Sequence, residues 1–193
     1  MCLIIKRPAG RIIPDEFLAE AWRKNSDGWG MGFLSTGVLV TCRGMTLDEL
    51  LAANQNLPAD CEVIVHLRKA TVGDVNLRMT HPFWVRPSLI LFHNGTINSS
   101  VPLPEGKSDS WSLARTIRAR LAGMNREQSA GFVRSDAFAR EANEIVGGSM
   151  AVLFDHRGVV AFGRHWHTVG AREWCPEMAG MKVSNVTAWS PKR

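Results

Sequence analysis

Apolar residues along the 193-residue chain fall into short runs separated by polar stretches that contain proline or glycine. Runs of this length, rich in Val, Ile and Leu, predict β-strands. The runs at 61–68 and 88–93 have few polar positions, which is typical of strands that are buried on both faces. The predicted strands lie at 2–5, 31–34, 38–42, 61–68, 88–93, 150–154, 159–162 and 182–187.

Helical spacing of apolar residues occupies several of the intervals between these strands. A helix is predicted from Pro14 to about Lys24, and Thr46 with Glu49 predicts the capping box of a second one. Further helices are predicted from 108 or 109 to about 122 and over 135–146, while 69–87 is predicted to be irregular. The pattern predicts an α+β fold, and because no linker-like change in composition divides the chain, residues 1–193 are predicted to form a single domain.

The composition is ordinary for a globular protein, with 45% hydrophobic and 21% charged residues. The net charge of +5 comes from scattered Lys and Arg residues, so nucleic-acid binding is not favoured. The four cysteines form no CxxC pair, which favours a reducing, cytoplasmic location. Neither a signal peptide nor an apolar run long enough to span a membrane is recognised.

Cys2 stands directly before the first predicted strand. Removal of Met1 would leave a thiol and a free α-amine on the same residue. An α-amine has a pKa of about 7.7–8.0 and can accept the thiol proton, so catalysis by an N-terminal nucleophile is chemically possible. The alternative is that Cys2 is a small buried residue that opens the strand.

Arg68 ends the apolar run at 61–68 and is followed by Thr71 and Gly73 in the predicted loop. His66 and Arg68 share one face of that strand because side chains alternate. An Arg at a strand end can donate two parallel hydrogen bonds to a carboxylate. The alternative is a surface Arg that pairs with a nearby acidic residue.

Two further motifs each have a structural and a functional interpretation. Asn94-Gly95 between apolar runs is typical of a tight hairpin turn, but a side-chain amide beside a backbone N–H can also stabilise an oxyanion. Asp109, in Ser108-Asp109-Ser110, is typical of a helix start, but it can also meet a substrate ammonium group.

The sequence contains only weak signals for a metal or cofactor site. His165 and His167 could share one strand face, but no third ligand is spaced nearby, so no metal site is predicted. A glycine-rich phosphate loop of the nucleotide or dinucleotide type is not recognised, and no cofactor is predicted.

In chain order, these motifs resemble those of the class II glutamine amidotransferases, whose glutaminase domain is an N-terminal-nucleophile hydrolase. The DGWG and HPF variants are most similar to stand-alone members, which carry this domain without a synthase. The matching segments are Met1-Cys2, Asp27-Gly28-Trp29-Gly30 with Met31-Gly32-Phe33, 66–73, His81-Pro82-Phe83, His93-Asn94-Gly95, Ser108-Asp109-Ser110 and Ser184-Asn185.

The resemblance implies a four-layer α/β/β/α fold with two stacked antiparallel sheets. It also implies that Cys2, once Met1 is removed, is the nucleophile and that its α-amine is the base. The remaining implied roles are Asn94 and Gly95 in the oxyanion hole, Arg68 on the substrate α-carboxylate, Asp109 on its α-ammonium, and Thr71 lining that end of the pocket.

The implied activity is cleavage of the γ-amide of glutamine or of a γ-glutamyl compound through a γ-glutamyl thioester, with release of ammonia or an amine. The substrate is a small molecule, and an ammonia-accepting synthase is a possible partner. The alternatives left open are a glutaminase subunit that feeds a separate synthase and a non-catalytic module that senses glutamine.

Overall fold

The computed structural model describes residues 2–97, 103–163, 166–171 and 175–187. Ten strands lie within these ranges. They are β1 (Leu3–Arg7), β2 (Trp29–Ser35), β3 (Val38–Gly44), β4 (Val63–Leu67), β5 (Phe83–Arg86), β6 (Leu89–Asn94), β7 (Met150–Asp155), β8 (Gly158–Gly163), β9 (His167–Thr168) and β10 (Lys182–Val183).

Five α-helices accompany the strands in the described part of the chain. They are α1 (Asp15–Lys24), α2 (Leu47–Gln55), α3 (Asp109–Arg120), α4 (Arg126–Phe132) and α5 (Asp136–Val146), with short 3-10 helices at Leu77–Met79 and Pro176–Met178. The predicted capping box is present: the Thr46 side chain accepts a hydrogen bond from the Glu49 N–H, and the Glu49 carboxylate accepts one from the Thr46 N–H. None of these helices is long and apolar enough to cross a membrane.

The strands form two antiparallel sheets. The first has the order β3-β2-β4-β1-β10-β9, and the second has the order β5-β6-β7-β8. The first strand of the chain therefore lies in the interior of the six-stranded sheet, between β4 and β10. The residue before β1 is thereby placed beside the residues that follow β4.

The alternation of side chains along the strands produces the layers. On β1, Leu3 and Ile5 pack with α1 and α2, whereas Ile4 packs against the second sheet. On β6, Ile90 and Phe92 face the first sheet, and Leu89 and Leu91 pack towards α3 and α5. The result is the predicted four-layer α/β/β/α arrangement with two sheets face to face, which confirms the predicted fold class.

Three details of the predicted elements are wrong. The segment 69–87 is not wholly irregular, because four residues between Pro82 and Pro87 form β5, an edge strand paired with β6. Helix α4 was not predicted, although Asn125 and Gln128 form its capping box. The last predicted strand, 182–187, is only two residues long, because the chain leaves the sheet after Val183.

Candidate active site

The thiol of Cys2 lies at the end of β1, beside the residues that follow β4. Its Sγ accepts a hydrogen bond from the Lys69 N–H at 3.3 Å and is 3.4 Å from the Lys69 carbonyl oxygen. Burial raises the pKa of this thiol, while the Lys69 N–H and the positive charge of Arg68 act in the opposite direction. The thiol is therefore protonated at neutral pH, and it needs a base to become a nucleophile.

Arg68 is buried, with 2% of its surface exposed, so the alternative of a surface ion pair is wrong. Its guanidinium donates to the carbonyl oxygens of Asp74 at 2.7 Å and Val72 at 3.3 Å. Burial lowers the pKa of Arg68, and the negative charges of Asp27 and Asp109 oppose that change. The guanidinium thus organises the loop after β4 and carries a positive charge next to Cys2.

The loop after β4 packs on the loop before α3, which joins two parts of the site. The Asp74 N–H donates to the Gly106 carbonyl at 3.1 Å. Gly73 has φ +80°, and a Cβ there would lie 2.8 Å from the Ser108 nitrogen. Only glycine allows so close an approach in this backbone conformation. The contact brings the loop held by Arg68 against the start of α3.

Asp109, in the first turn of α3, is 8% exposed. Its Oδ2 accepts from the Ile97 N–H at 2.8 Å, and its Oδ1 accepts from the Ser110 N–H at 2.7 Å. Ser108, not Asp109, caps the helix by accepting from the Trp111 N–H. The Asp109 carboxylate is therefore oriented at both oxygens, while Ser108 is the N-cap of α3.

Asn94 is the last residue of β6, so the hairpin interpretation of Asn94-Gly95 is wrong: β6 pairs with β5 and β7 instead. The Asn94 amide is buried, and its Nδ2 donates to Ser184 Oγ at 2.8 Å. An amide nitrogen carries two hydrogens, so one remains for another acceptor. Gly95 follows with φ +137°, a conformation that an L residue rarely adopts.

Ser184 and Asn185 lie near the end of the described chain, and no role was predicted for either of them. Ser184 Oγ accepts from the Ile4 N–H at 2.8 Å and from the Asn94 amide, and Asn185 Nδ2 donates to the Cys2 carbonyl at 2.8 Å. These bonds tie the start of β1 to the end of β6. Hydrogen bonding across such a sequence separation has no local signal in the sequence.

Asp27 is a further residue near Cys2 for which no role was predicted. Its Oδ2 accepts from the Ala70 N–H at 2.8 Å and lies 3.6 Å from Lys69 Nζ. The Asp27 N–H donates to the Arg68 carbonyl at 3.0 Å. Asp27 therefore holds the backbone of residues 68–70, to which the Cys2 thiol is hydrogen-bonded.

Three buried histidines lie behind the site. His66 Nε2 is 3.1 Å from the His93 carbonyl oxygen, and the His66 and His81 rings are in contact at an angle of 34°, with centroids 3.9 Å apart. Burial lowers the pKa of His66 to about 3 and that of His81 well below its usual value. Burial also lowers the pKa of His93, against the effect of the nearby Asp109. All three imidazoles are neutral at pH 7.

Thr71, His167 and His165 are the remaining candidate positions. Thr71 is exposed in the loop three residues after Arg68. His167 is in β9, and its neighbour His165 lies outside the described residues. Within the described ranges, the group with metal-ligand spacing consists of Glu16, Cys175 and Glu177, and it includes none of the residues around Cys2.

The structure thus brings Cys2, Arg68, Asn94 and Asp109 to one end of the sheet sandwich. Two face-to-face antiparallel sheets between helical layers, with the second residue of the chain at this end of the sandwich, are the arrangement of the N-terminal-nucleophile hydrolase fold. A family model described as glutamine amidotransferases of class II matches residues 18–164. The match covers more than half of the chain, and the chain belongs to this family of enzymes.

Comparison with solved structures supports the fold. The chain is similar to the glutamine phosphoribosylpyrophosphate amidotransferase of B. subtilis, solved in complex with ADP and GMP, with a TM-score of 0.52 and 15% sequence identity. The match covers 81% of this chain but only 35% of that protein. A search of curated protein sequences found no match.

Proposed function

We propose that this chain cleaves the γ-amide of glutamine or of a γ-glutamyl compound through a γ-glutamyl thioester on Cys2. The observation that carries the proposal is the setting of the Cys2 thiol, which is hydrogen-bonded at Lys69 and acted on by the charges of both Arg68 and Asp109. An amino acid carries one positive and one negative group on its α-carbon, so fixed charges of both signs would orient it. We propose that residues 1–193 form a single glutaminase domain.

Met1 must be removed for this chemistry, because only then is the nitrogen of Cys2 an amine that can act as a base. The α-amine takes the thiol proton as the sulfur attacks the amide carbon, and the carbonyl electron pair moves onto oxygen. The intermediate collapses with proton transfer to the leaving nitrogen, which releases ammonia or an amine. Water then hydrolyses the thioester to give the free γ-carboxylate and restore the thiol.

Asn94 and Gly95 would stabilise the oxyanion of the tetrahedral intermediate. Ser184 takes one hydrogen of the Asn94 amide at 2.8 Å, which fixes the direction of the other. The Gly95 N–H would be the second donor. Loss of one such donor typically costs about 10²–10³ in rate.

Arg68, Thr71 and Asp109 would bind the amino-acid end of the substrate. Arg68 has five N–H donors and uses two nitrogens on the carbonyls of Val72 and Asp74. Its guanidinium would take the α-carboxylate, Asp109 would take the α-ammonium, and Thr71 would line this end. Fixing both groups would hold the γ-amide next to the thiol, which lowers the entropic part of the barrier.

The test begins with intact mass analysis to select protein that lacks Met1, which we call the Met-free protein. This protein is incubated with glutamine and with γ-glutamyl amides, and the release of ammonia or amine and of glutamate is measured. Cys2→Ala should abolish release, whereas Cys42→Ala, which removes another partly buried thiol, should retain it. If the Met-free wild type releases nothing from any of these substrates, the proposal is wrong.

We also propose that the released ammonia passes to an acceptor protein, a synthase. Family membership supports this proposal, as does the neighbour of known structure, which is named for phosphoribosylpyrophosphate and of which this chain spans 35%. Co-purification of a synthase from cells would support transfer. A protein that binds glutamine in its Met-free form without cleaving it would instead favour the sensing alternative.

A further inference from the structure

His93 is a buried group that the proposed chemistry does not use. It is 1% exposed and directly precedes Asn94 on β6. Because side chains alternate, Asn94 points between the sheets while His93 points towards the helical layer. There its Nδ1 lies 2.8 Å from the hydroxyl of Ser110, which is the second residue of α3. The end of β6 thus contacts two separate parts of the site, with Asn94 bonded to Ser184 and His93 bonded to Ser110.

The direction of each hydrogen bond follows from the single hydrogen of the Ser110 hydroxyl. Asp109 Oδ1 lies 3.3 Å from Ser110 Oγ, and a carboxylate accepts but cannot donate. Ser110 therefore donates to Asp109, and its oxygen accepts from His93. This assigns His93 as the neutral tautomer protonated at Nδ1, and the chain of donors runs from His93 through Ser110 to Asp109.

The imidazole is also anchored through its own backbone. His66, on β4 of the other sheet, reaches the His93 carbonyl with Nε2 at 3.1 Å. A carbonyl oxygen accepts, so His66 donates from Nε2. The strand end that bears His93 is therefore held from both sheets, while Asp109 is additionally held by the Ile97 N–H at 2.8 Å.

We propose that His93 is a positioning residue that sets the Asp109 carboxylate for the substrate α-ammonium group through the Ser110 hydroxyl. The selectivity for a free α-amino group would then depend on His93 although it touches no substrate. This inference rests on the proposed function, specifically on the role of Asp109. It predicts that loss of His93 affects ligands with an α-amino group and spares those without one.

The experiment measures binding so that it does not depend on turnover. Calorimetry on Met-free protein with Cys2→Ala compares glutamine with 4-carbamoylbutanoate, which is glutamine without its α-amino group. His93→Leu and Ser110→Ala are each expected to weaken glutamine binding about tenfold, which is the loss of about 1.4 kcal/mol, and to leave binding of the analogue unchanged. His93→Asn, whose amide nitrogen takes the place of Nδ1, should restore glutamine binding.

Several results would overturn the inference. These are equal weakening for both ligands, no weakening for either, or no rescue by His93→Asn in a folded protein. Thermal melts identify any variant that fails to fold, and Ser110→Ala, which removes one oxygen atom, provides the test if His93→Leu unfolds. Absence of glutamine binding in the parent protein would also overturn it. Selective binding without any turnover by the Met-free wild type would overturn only the proposed function.

Discussion

Replacing Gly95 by alanine tests whether the backbone after Asn94 serves the chemistry. Gly95 has φ +137°, and a Cβ there would lie 2.1 Å from Ser149 Oγ and 2.4 Å from Ser149 Cβ. Both distances are far below van der Waals contact. The Ser149 hydroxyl donates to the Thr96 carbonyl at 3.3 Å, so a shift of either residue disturbs the turn that carries the Gly95 N–H.

Two costs add in Gly95→Ala. A non-glycine residue in this backbone region costs about 1–3 kcal/mol, and overpacking at a tight site typically costs about 1–3 kcal/mol. Destabilisation of about 2–6 kcal/mol is a large part of the 5–15 kcal/mol that stabilises a typical domain, so the variant is expected to fold with a lowered Tm. Displacement of the N–H should lower kcat about 10²–10³-fold.

The assay combines thermal unfolding with steady-state release of ammonia from glutamine by Met-free protein. Gly123→Ala is the matched control, because Gly123 has φ +78° and nothing within 4 Å of its would-be Cβ. It should lose about 1–2 kcal/mol from backbone strain alone and keep its kcat. Ser149→Gly in the Gly95→Ala background removes the two closest atoms and should recover the part of the stability that overpacking costs. A folded Gly95→Ala variant with wild-type kcat would refute the assignment of the Gly95 N–H.

Three further outcomes are expected. Acid should destabilise the protein, because His66 takes up a proton at its usual pKa of 6.5 when unfolded but only near a pKa of about 3 when folded. This one group lowers the free energy of unfolding by about 2 kcal/mol at pH 5. His66→Gln should therefore flatten the pH dependence of urea unfolding. Arg134→Met should cost about 3–5 kcal/mol in urea unfolding, since it removes the ion pair of the buried Asp155 carboxylate and the two hydrogen bonds from Arg134 at 2.6 and 2.8 Å. Arg68→Ala should raise KM for glutamine roughly 10²-fold and also lower Tm, because the carbonyls of its loop lose their donor; an unchanged KM would show that Arg68 is only structural.

The elements that could be predicted from the sequence are those with strong local signals. The apolar run at 61–68 contains β4, and all five β4 residues are buried. Pro14 with the acidic residues after it marks the start of α1, and Thr46 with Glu49 marks that of α2. Strand β5 was missed because four residues between prolines carry little periodicity, and its identity depends on pairing with β6.

The candidate site could be predicted only as a set of residue types. Arg68 shows why: the sequence identifies a cation at a strand end, but its burial and its carbonyl partners depend on how the following loop folds back. Ser184 is a stronger case, because its two partners are Ile4 and Asn94. A serine after a short strand has no local feature that indicates contacts with residues so far away in the chain.

The register of β1 links the stability of the fold to the placement of the nucleophile. Leu3 pairs with Leu67 on β4, and Ile4 occupies the layer between the sheets. Cys2 shares the face of Ile4, so it points into that layer where Arg68 also lies. A slip of one residue would turn Ile4 towards the helices and the thiol away from Arg68. The apolar contacts that make such a slip unfavourable therefore also aim Cys2, and core substitutions on β1 should affect rate as well as stability.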